Sequence, residues 1–307
     1  MKKKFFRFIS RFTMFFVVLG ISGYLFFDIQ KELFSEKNNH QINNHQTKTI
    51  KHNQETLMAY QKGMQLTQGK ERQQDIPLAM SWFKKAADQG HEPSQYNLAA
   101  LYITQYRNYQ AAKPWLLASA SQGNPKSQMF LGKLYYEGTH LPQNIPEATK
   151  WFQEAAKNNQ QEATAYLGKI YLLNNKDTEK ARPLLEKAAN ENNKESQYLL
   201  GTLHLQEKNI PLSALWLEKA ANQNWPQAQL DLAILYGKHL QDYNKMFYWS
   251  EKAANHPKFP LGKALLGYVY QQGLGTEPNT NQAKYWSDLA EQQGVLTNTL
   301  VNYIDTQ

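Results

Sequence analysis

Ser81 and Lys84, in the stretch SWFK, are three residues apart. That is the Ser-x-x-Lys spacing at which a lysine activates a serine nucleophile in penicillin-recognising enzymes. No Ser-Asp-Asn or Lys-Thr-Gly follows in the chain, so the pair lacks the groups that complete such a site. Gly273-Leu-Gly275 begins like a dinucleotide-binding loop, but it lacks the third glycine and precedes no strand-to-helix crossover. His40, His45 and His52 cluster near the N-terminus, and His91, His140, His204, His239 and His256 are dispersed along the chain. With no cysteine and no carboxylate pair at ligand spacing, these histidines do not compose a metal site. Neither a catalytic group nor a cofactor is expected.

The absent cysteines also exclude disulfides and a lipoprotein anchor, so stability must come from packing. The net charge of +8 is unevenly placed: +4 falls in residues 1–35, +1 in 36–55 and +3 in the remaining 252. A nucleic-acid footprint would cluster on the folded part of the chain. None does, and no nucleic-acid partner is expected.

The basic N-terminus has another use. Lys2, Lys3, Lys4, Arg7 and Arg11 precede a run without charge from Phe12 to Phe27. That run is shorter than the roughly 20 residues that cross a bilayer, but Phe5 to Arg11 extends it, with the arginines reaching toward headgroups. Residues 1–30 are therefore read as a membrane anchor whose basic end stays cytoplasmic. The alternative is a cleaved signal peptide, for which Gly20, Ser22 and Gly23 supply small residues, although Tyr24, Leu25 and Phe26 continue the bulky run. Residues 31–55, rich in Asn, Gln, His and Lys, bury too little to fold and read as a linker.

Beyond them the chain repeats itself. Trp82, Trp115, Trp151, Leu184, Trp216, Trp249 and Trp286 are spaced by 33, 36, 33, 32, 33 and 37 residues, a period that signals a helical solenoid. Seven residues before each stands Asp75, Asn108, Asn144, Asp177, Asn209, Asp242 or Asn279, all helix-capping types. Eight residues after come Gly90, Gly123, Asn159, Asn192, Asn224, Pro257 and Gly294, all but Pro257 tolerant of a left-handed helix end. Each such segment is a B helix, carrying the Trp and then a small pair such as Ala155-Ala156. Upstream lies an A helix, with phrases such as MFLGKLY and AYLGKIY. Gly132, Gly168, Gly201 and Gly267 follow its Leu in mid-helix, where glycine costs about 1 kcal/mol relative to alanine, so a closely packed partner must require them.

The pattern of Leu-Gly, Tyr, Asp or Asn, Ala, Trp, Ala-Ala and Gly resembles the Sel1-like repeat, a relative of the tetratricopeptide repeat. Two copies carry its long inter-helix loop: YYEGTHLPQNIPEATKWFQEAA from Tyr135 and YQQGLGTEPNTNQAKYWSDLAEQQG from Tyr270. The others lack three or four loop residues, and Leu184 replaces Trp in the fourth. The resemblance implies an all-α, right-handed superhelical solenoid over residues 56–294, with 295–307 as a C-terminal cap or tail. It also implies a role in assembling other proteins in bacterial envelopes, and no catalytic residue.

A partner site is expected on the A helices, which line the concave surface of such solenoids. Phe130, Tyr166 and Leu199 stand just before the helix Leu, with Lys133 and Lys169 three residues further on the same face, and Leu265 and Tyr268 repeat the pattern near the end. This would make an apolar groove with a basic rim, suited to a helix or an extended segment. The alternative is that these side chains pack between adjacent repeats. The functional expectation is an inner-membrane, single-pass, periplasmic scaffold that binds protein and no small-molecule substrate. The runner-up is an immunity protein that sequesters a toxic enzyme delivered to the periplasm. The absence of any Asn-x-Ser/Thr sequon suits a bacterial compartment.

Overall fold

The computed structural model describes residues 51–68 and 74–295. Among them are fourteen helices and no strand, alternating as A and B. The A helices are α1 (residues 51–68), α3 (Glu92–Tyr106), α5 (Pro125–Glu137), α7 (Gln161–Lys169), α9 (Lys194–Gln206), α11 (Pro226–Leu235) and α13 (Pro260–Gln272). The B helices are α2 (Ile76–Ala87), α4 (Tyr109–Ser121), α6 (Ile145–Lys157), α8 (Thr178–Asn190), α10 (Ile210–Asn222), α12 (Tyr243–Ala254) and α14 (Thr280–Glu291). They fall into two compact units, Met1–Tyr106 with α1 to α3, and Arg107–Gln307 with α4 to α14. The expected anchor and residues 31–50 of the expected linker lie outside the described residues, as do 296–307. No described helix is long and apolar enough to cross a membrane. Helix α1 includes residues 51–55, assigned from sequence to the linker.

Each expected cap does its work. The side chains of Asp75, Asn108, Asn144, Asp177, Asn209, Asp242 and Asn279 accept hydrogen bonds from the amides three residues on, at 2.9 to 3.3 Å. At the other end, Gly90, Gly123, Asn159, Asn192, Asn224 and Gly294 all have positive φ. The turn then closes by amide-to-carbonyl bonds such as Gln160 N–H to Ala155 O, 3.1 Å, the Schellman arrangement.

The loop inside the repeat varies in length, and in the last five repeats it closes the same way. The carbonyl of Tyr135, Tyr171, His204, Tyr236 or Tyr270, at the end of the A helix, accepts from the amide of the B-helix cap at 2.8 to 3.0 Å. The cap follows that residue by nine, six, five, six and nine positions respectively. Where the interval is six, the A helix ends in a π turn, Ile170–Asn174 after α7 and Tyr236–Leu240 after α11. The residue that these two repeats have beyond His204–Asn209 is taken up by widening the last turn.

The Trp column is not the deepest part of the core. Trp82, Trp115, Trp216 and Trp286 are only half-buried, and of the lattice tryptophans Trp151 and Trp249 alone are nearly closed, each 5% exposed. The next residue goes deeper: Phe83, Leu116, Phe152, Leu185 and Leu217 are at most 1% exposed. This neighbour is turned about 100° around the helix from the Trp, toward the A-helix glycine. The Trp rings lie at the margin, several beneath a lysine, as with Lys219 Nζ 3.9 Å from the Trp216 ring centre.

Candidate functional site

The SWFK pair is committed to local structure. Ser81 Oγ donates to the Leu78 carbonyl at 2.7 Å, and Lys84 pairs with Asp88 at 2.7 Å, both on the exposed side of α2. Gly273 and Gly275 are left-handed turn residues of the α13–α14 loop. Among the described residues no three His, Cys, Asp or Glu side chains gather as metal ligands. His204 is buried in the aromatic column, 3.4 Å from Glu207.

On the A helices α5, α7 and α9, side chains of the expected row join in a connected set of contacts. Lys133 on α5 pairs with Glu162 on α7 at 2.7 Å, and Lys169 on α7 pairs with Glu195 on α9 at 2.6 Å, the same bond one repeat apart. Each ammonium also lies over a tyrosine of the other helix: Lys133 is 5.7 Å from the Tyr166 ring centre and Lys169 is 5.4 Å from that of Tyr136. The two rings meet edge to face at 5.6 Å, and Tyr166 stacks on the buried Phe152 at 4.6 Å. Burial raises the Tyr166 pKa, helped by the carboxylates of Glu162, Glu137 and Glu195. Burial alone would depress Lys169, but the hydrogen bond and charge of Glu195, with Tyr136, hold its pKa above the ordinary lysine value. The result is a lattice of two ammonium–carboxylate pairs and two half-buried rings.

Phe130, half-buried on α5, belongs to this face. Leu199 and Leu265 do not: Leu199 is 8% exposed and packs with Ala181, Leu185 and Leu200, and Leu265 is fully buried in the C-terminal core. An aliphatic side chain at this position fits beneath the neighbouring helices, whereas the rings of Phe130 and Tyr166 extend past them. Tyr268 is half-buried against the same C-terminal core, apart from the lysine lattice.

Tyr136 escaped sequence reading because it follows the aromatic column by one residue and looks like loop. A second missed column is polar. Gln95, Gln128, Gln197 and Gln229 are buried three residues before the helix Leu, and each Nε2 donates to an alanine carbonyl at the end of the preceding B helix, at 3.0 to 3.3 Å. The oxygens of three of them accept in turn: Gln128 from Asn158 at 3.0 Å, Gln197 from Gln223 at 2.7 Å and Gln229 from His256 at 2.9 Å. Lys263 takes this place in the last repeat, donating to the His256 and Pro257 carbonyls at 2.8 and 3.1 Å, and Thr164 takes it in the fourth. The regular recurrence of Gln at this offset was the available signal.

The chain is similar to known proteins in sequence and in fold. The chain is 30% identical over 95 residues to the chitin synthase regulator SKT5 of Saccharomyces cerevisiae, covering 29% of this chain and 14% of that protein. It is 27% identical over 262 residues to an uncharacterised protein of Neisseria meningitidis serogroup B, covering 73% of this chain and 55% of that one. It thus spans about half or less of the length of these relatives. Two solved structures share the fold: a protective antigen of uropathogenic Escherichia coli strains (TM-score 0.65, 24% identity, 82% of this chain and 57% of that one) and a Sel1 repeat protein from Oxalobacter formigenes (0.59, 22%, 82% and 76%). The Sel1 repeat pattern itself matches seven consecutive segments, residues 57–91, 93–124, 125–160, 161–193, 194–225, 226–257 and 260–295. With a helix pair and a capped B helix in each of the seven matched segments, the chain belongs to the Sel1 repeat family.

Proposed function

We propose that the chain is a non-enzymatic protein-interaction scaffold, held in a bacterial inner membrane by residues 1–30, with its repeats in the periplasm. A protein segment docks on the A-helix face formed by Phe130, Lys133, Tyr136, Tyr166 and Lys169, the side that the family resemblance makes concave. The observation that carries the reading is the lysine–tyrosine lattice across α5 and α7. It presents partly exposed rings and charge-assisted donors on helices fixed by their packing, so a partner meets a surface that costs little to order. Aromatic anchors ringed by polar groups are the composition of interface hot spots.

The test is crosslinked affinity purification from native membranes with the full chain and a Phe130→Ala, Lys133→Ala, Lys169→Ala variant, which spares Leu199 and the core. Loss of a co-purifying protein at unchanged melting temperature supports the assignment; retention of that protein moves the interface off this face. Protease added to spheroplasts tests the compartment: digestion of the repeats is expected, and protection would place them in the cytoplasm.

A further inference from the structure

A second site lies on the opposite helices. A groove of about 510 Å³ opens between α12 and α14, within the range of roughly 300–1,000 Å³ typical of small-ligand sites. Its lining is aromatic and polar. Three aromatic side chains face it: Tyr248, 48% exposed, and the half-buried Tyr270 and Trp286. The only aliphatic lining residue is Leu266, itself 2% exposed. The rest is polar: Glu251, Lys252, Asn255, Asn279 and Gln282.

That composition selects among ligand classes. An acyl chain needs aliphatic walls, and the lining offers Leu266 alone, itself buried. A phosphate or nucleotide needs surplus positive charge, and the groove has one ammonium and one carboxylate. A sugar ring needs what is present: π faces for its weakly polar C–H surface, and amides or carboxylates for its hydroxyl rim. The aromatics are held in place for this. Tyr248 stands edge-on to the buried Trp249 at 5.0 Å, with Lys252 Nζ 5.4 Å from its centre, and Tyr270 meets Phe247 edge to face at 5.5 Å. Glu251 lies close enough for its charge to add to burial in raising the Tyr270 pKa.

We infer that the groove between α12 and α14 binds a β-linked oligosaccharide of gluco configuration, whose equatorial hydroxyls leave flat C–H faces to lie against Tyr248 and Trp286 while Glu251, Asn255 and Gln282 bond its edge. Binding alone is assigned to it, and it is independent of the A-helix face.

The experiment is saturation-transfer NMR on the full chain, kept in a detergent without a sugar headgroup, with cellotetraose and chitotetraose as probes and α-linked maltotetraose as the linkage control. Transfer to the ring protons of a β-linked probe is expected, reduced at least fivefold by Tyr248→Ala and by Glu251→Gln, and unchanged in the Lys133→Ala, Lys169→Ala variant. Circular dichroism melting of each variant separates lost binding from lost fold, and Glu251→Gln, isosteric and on the surface, keeps the test open if Tyr248→Ala unfolds. No transfer to either β-linked probe, transfer to maltotetraose alone, or transfer untouched by both groove substitutions overturns the assignment.

Discussion

The ring of Phe152 occupies the space that a side chain on Gly132 would need: a Cβ there would lie 2.6 Å from two of its carbons. The same relation joins Gly63 to Phe83, Gly168 to Leu185 and Gly201 to Leu217, at 2.6 to 2.8 Å. Gly132→Ala should therefore destabilise the protein by about 1–3 kcal/mol through overpacking, although alanine is the better helix former. Denaturant melts of Gly132→Ala, Phe152→Leu and the double variant check it. The double variant should be more stable than the sum of the single changes, and strict additivity would show that the two side chains do not compete.

The Trp column should divide by burial. Trp151→Ala is expected to cost about 3–5 kcal/mol and Trp216→Ala about half of that or less, because the Trp216 ring is already partly in water beneath Lys219. Equal losses in urea unfolding would show that the two rings are equally buried.

For the buried glutamines, Gln197→Leu removes the side-chain donor to the Ala189 carbonyl at 3.0 Å, which keeps the Asn192 amide, and removes one of the acceptors of Gln223, which keeps Asn192. A loss of about 1–3 kcal/mol is expected. Gln223→Ala, at the rim of the same junction, should cost less; the reverse order would place the strength of the ladder at its edge.

Acid should loosen one joint of the ladder. Burial lowers the pKa of His256, with the charge of Lys263 adding to it, so the folded chain favours the neutral imidazole that meets Gln229. The unfolded chain takes up the proton first, near pH 6.5. The His256 contribution is thus complete above that pH and declines as pH falls from there toward the lower folded value. His256→Gln should flatten that part of a stability-against-pH curve, and an unaltered slope would assign the acid sensitivity elsewhere.

How legible this was in the sequence depended on the range of each interaction. The caps at Asp75, Asn144 and their equivalents act within three residues, and the left-handed ends at Gly90 and Asn159 within the same turn, so residue type alone located them. The mid-helix glycines announced a close partner without naming it; that Phe152 and not Trp151 is the partner depends on a rotation of one residue about α6. The A-face row was half legible for the same reason. Offset from the helix Leu put Phe130, Tyr166, Leu199 and Leu265 in one column, yet only the neighbouring helices decide which of them they cover. Tyr136 and the Gln128–Asn158 bond join different helices, and spacing within one helix does not reveal such bonds.

In the last five repeats the bond from the B-helix cap to the A-helix aromatic carbonyl is made whether the cap follows by five, six or nine positions, with a π turn absorbing one of them. Insertions and deletions in these loops are thereby confined to the loop: neither helix shifts register against its neighbours. Length changes there are close to neutral for folding, so the tips can diversify copy by copy while the stack beneath them is inherited unchanged.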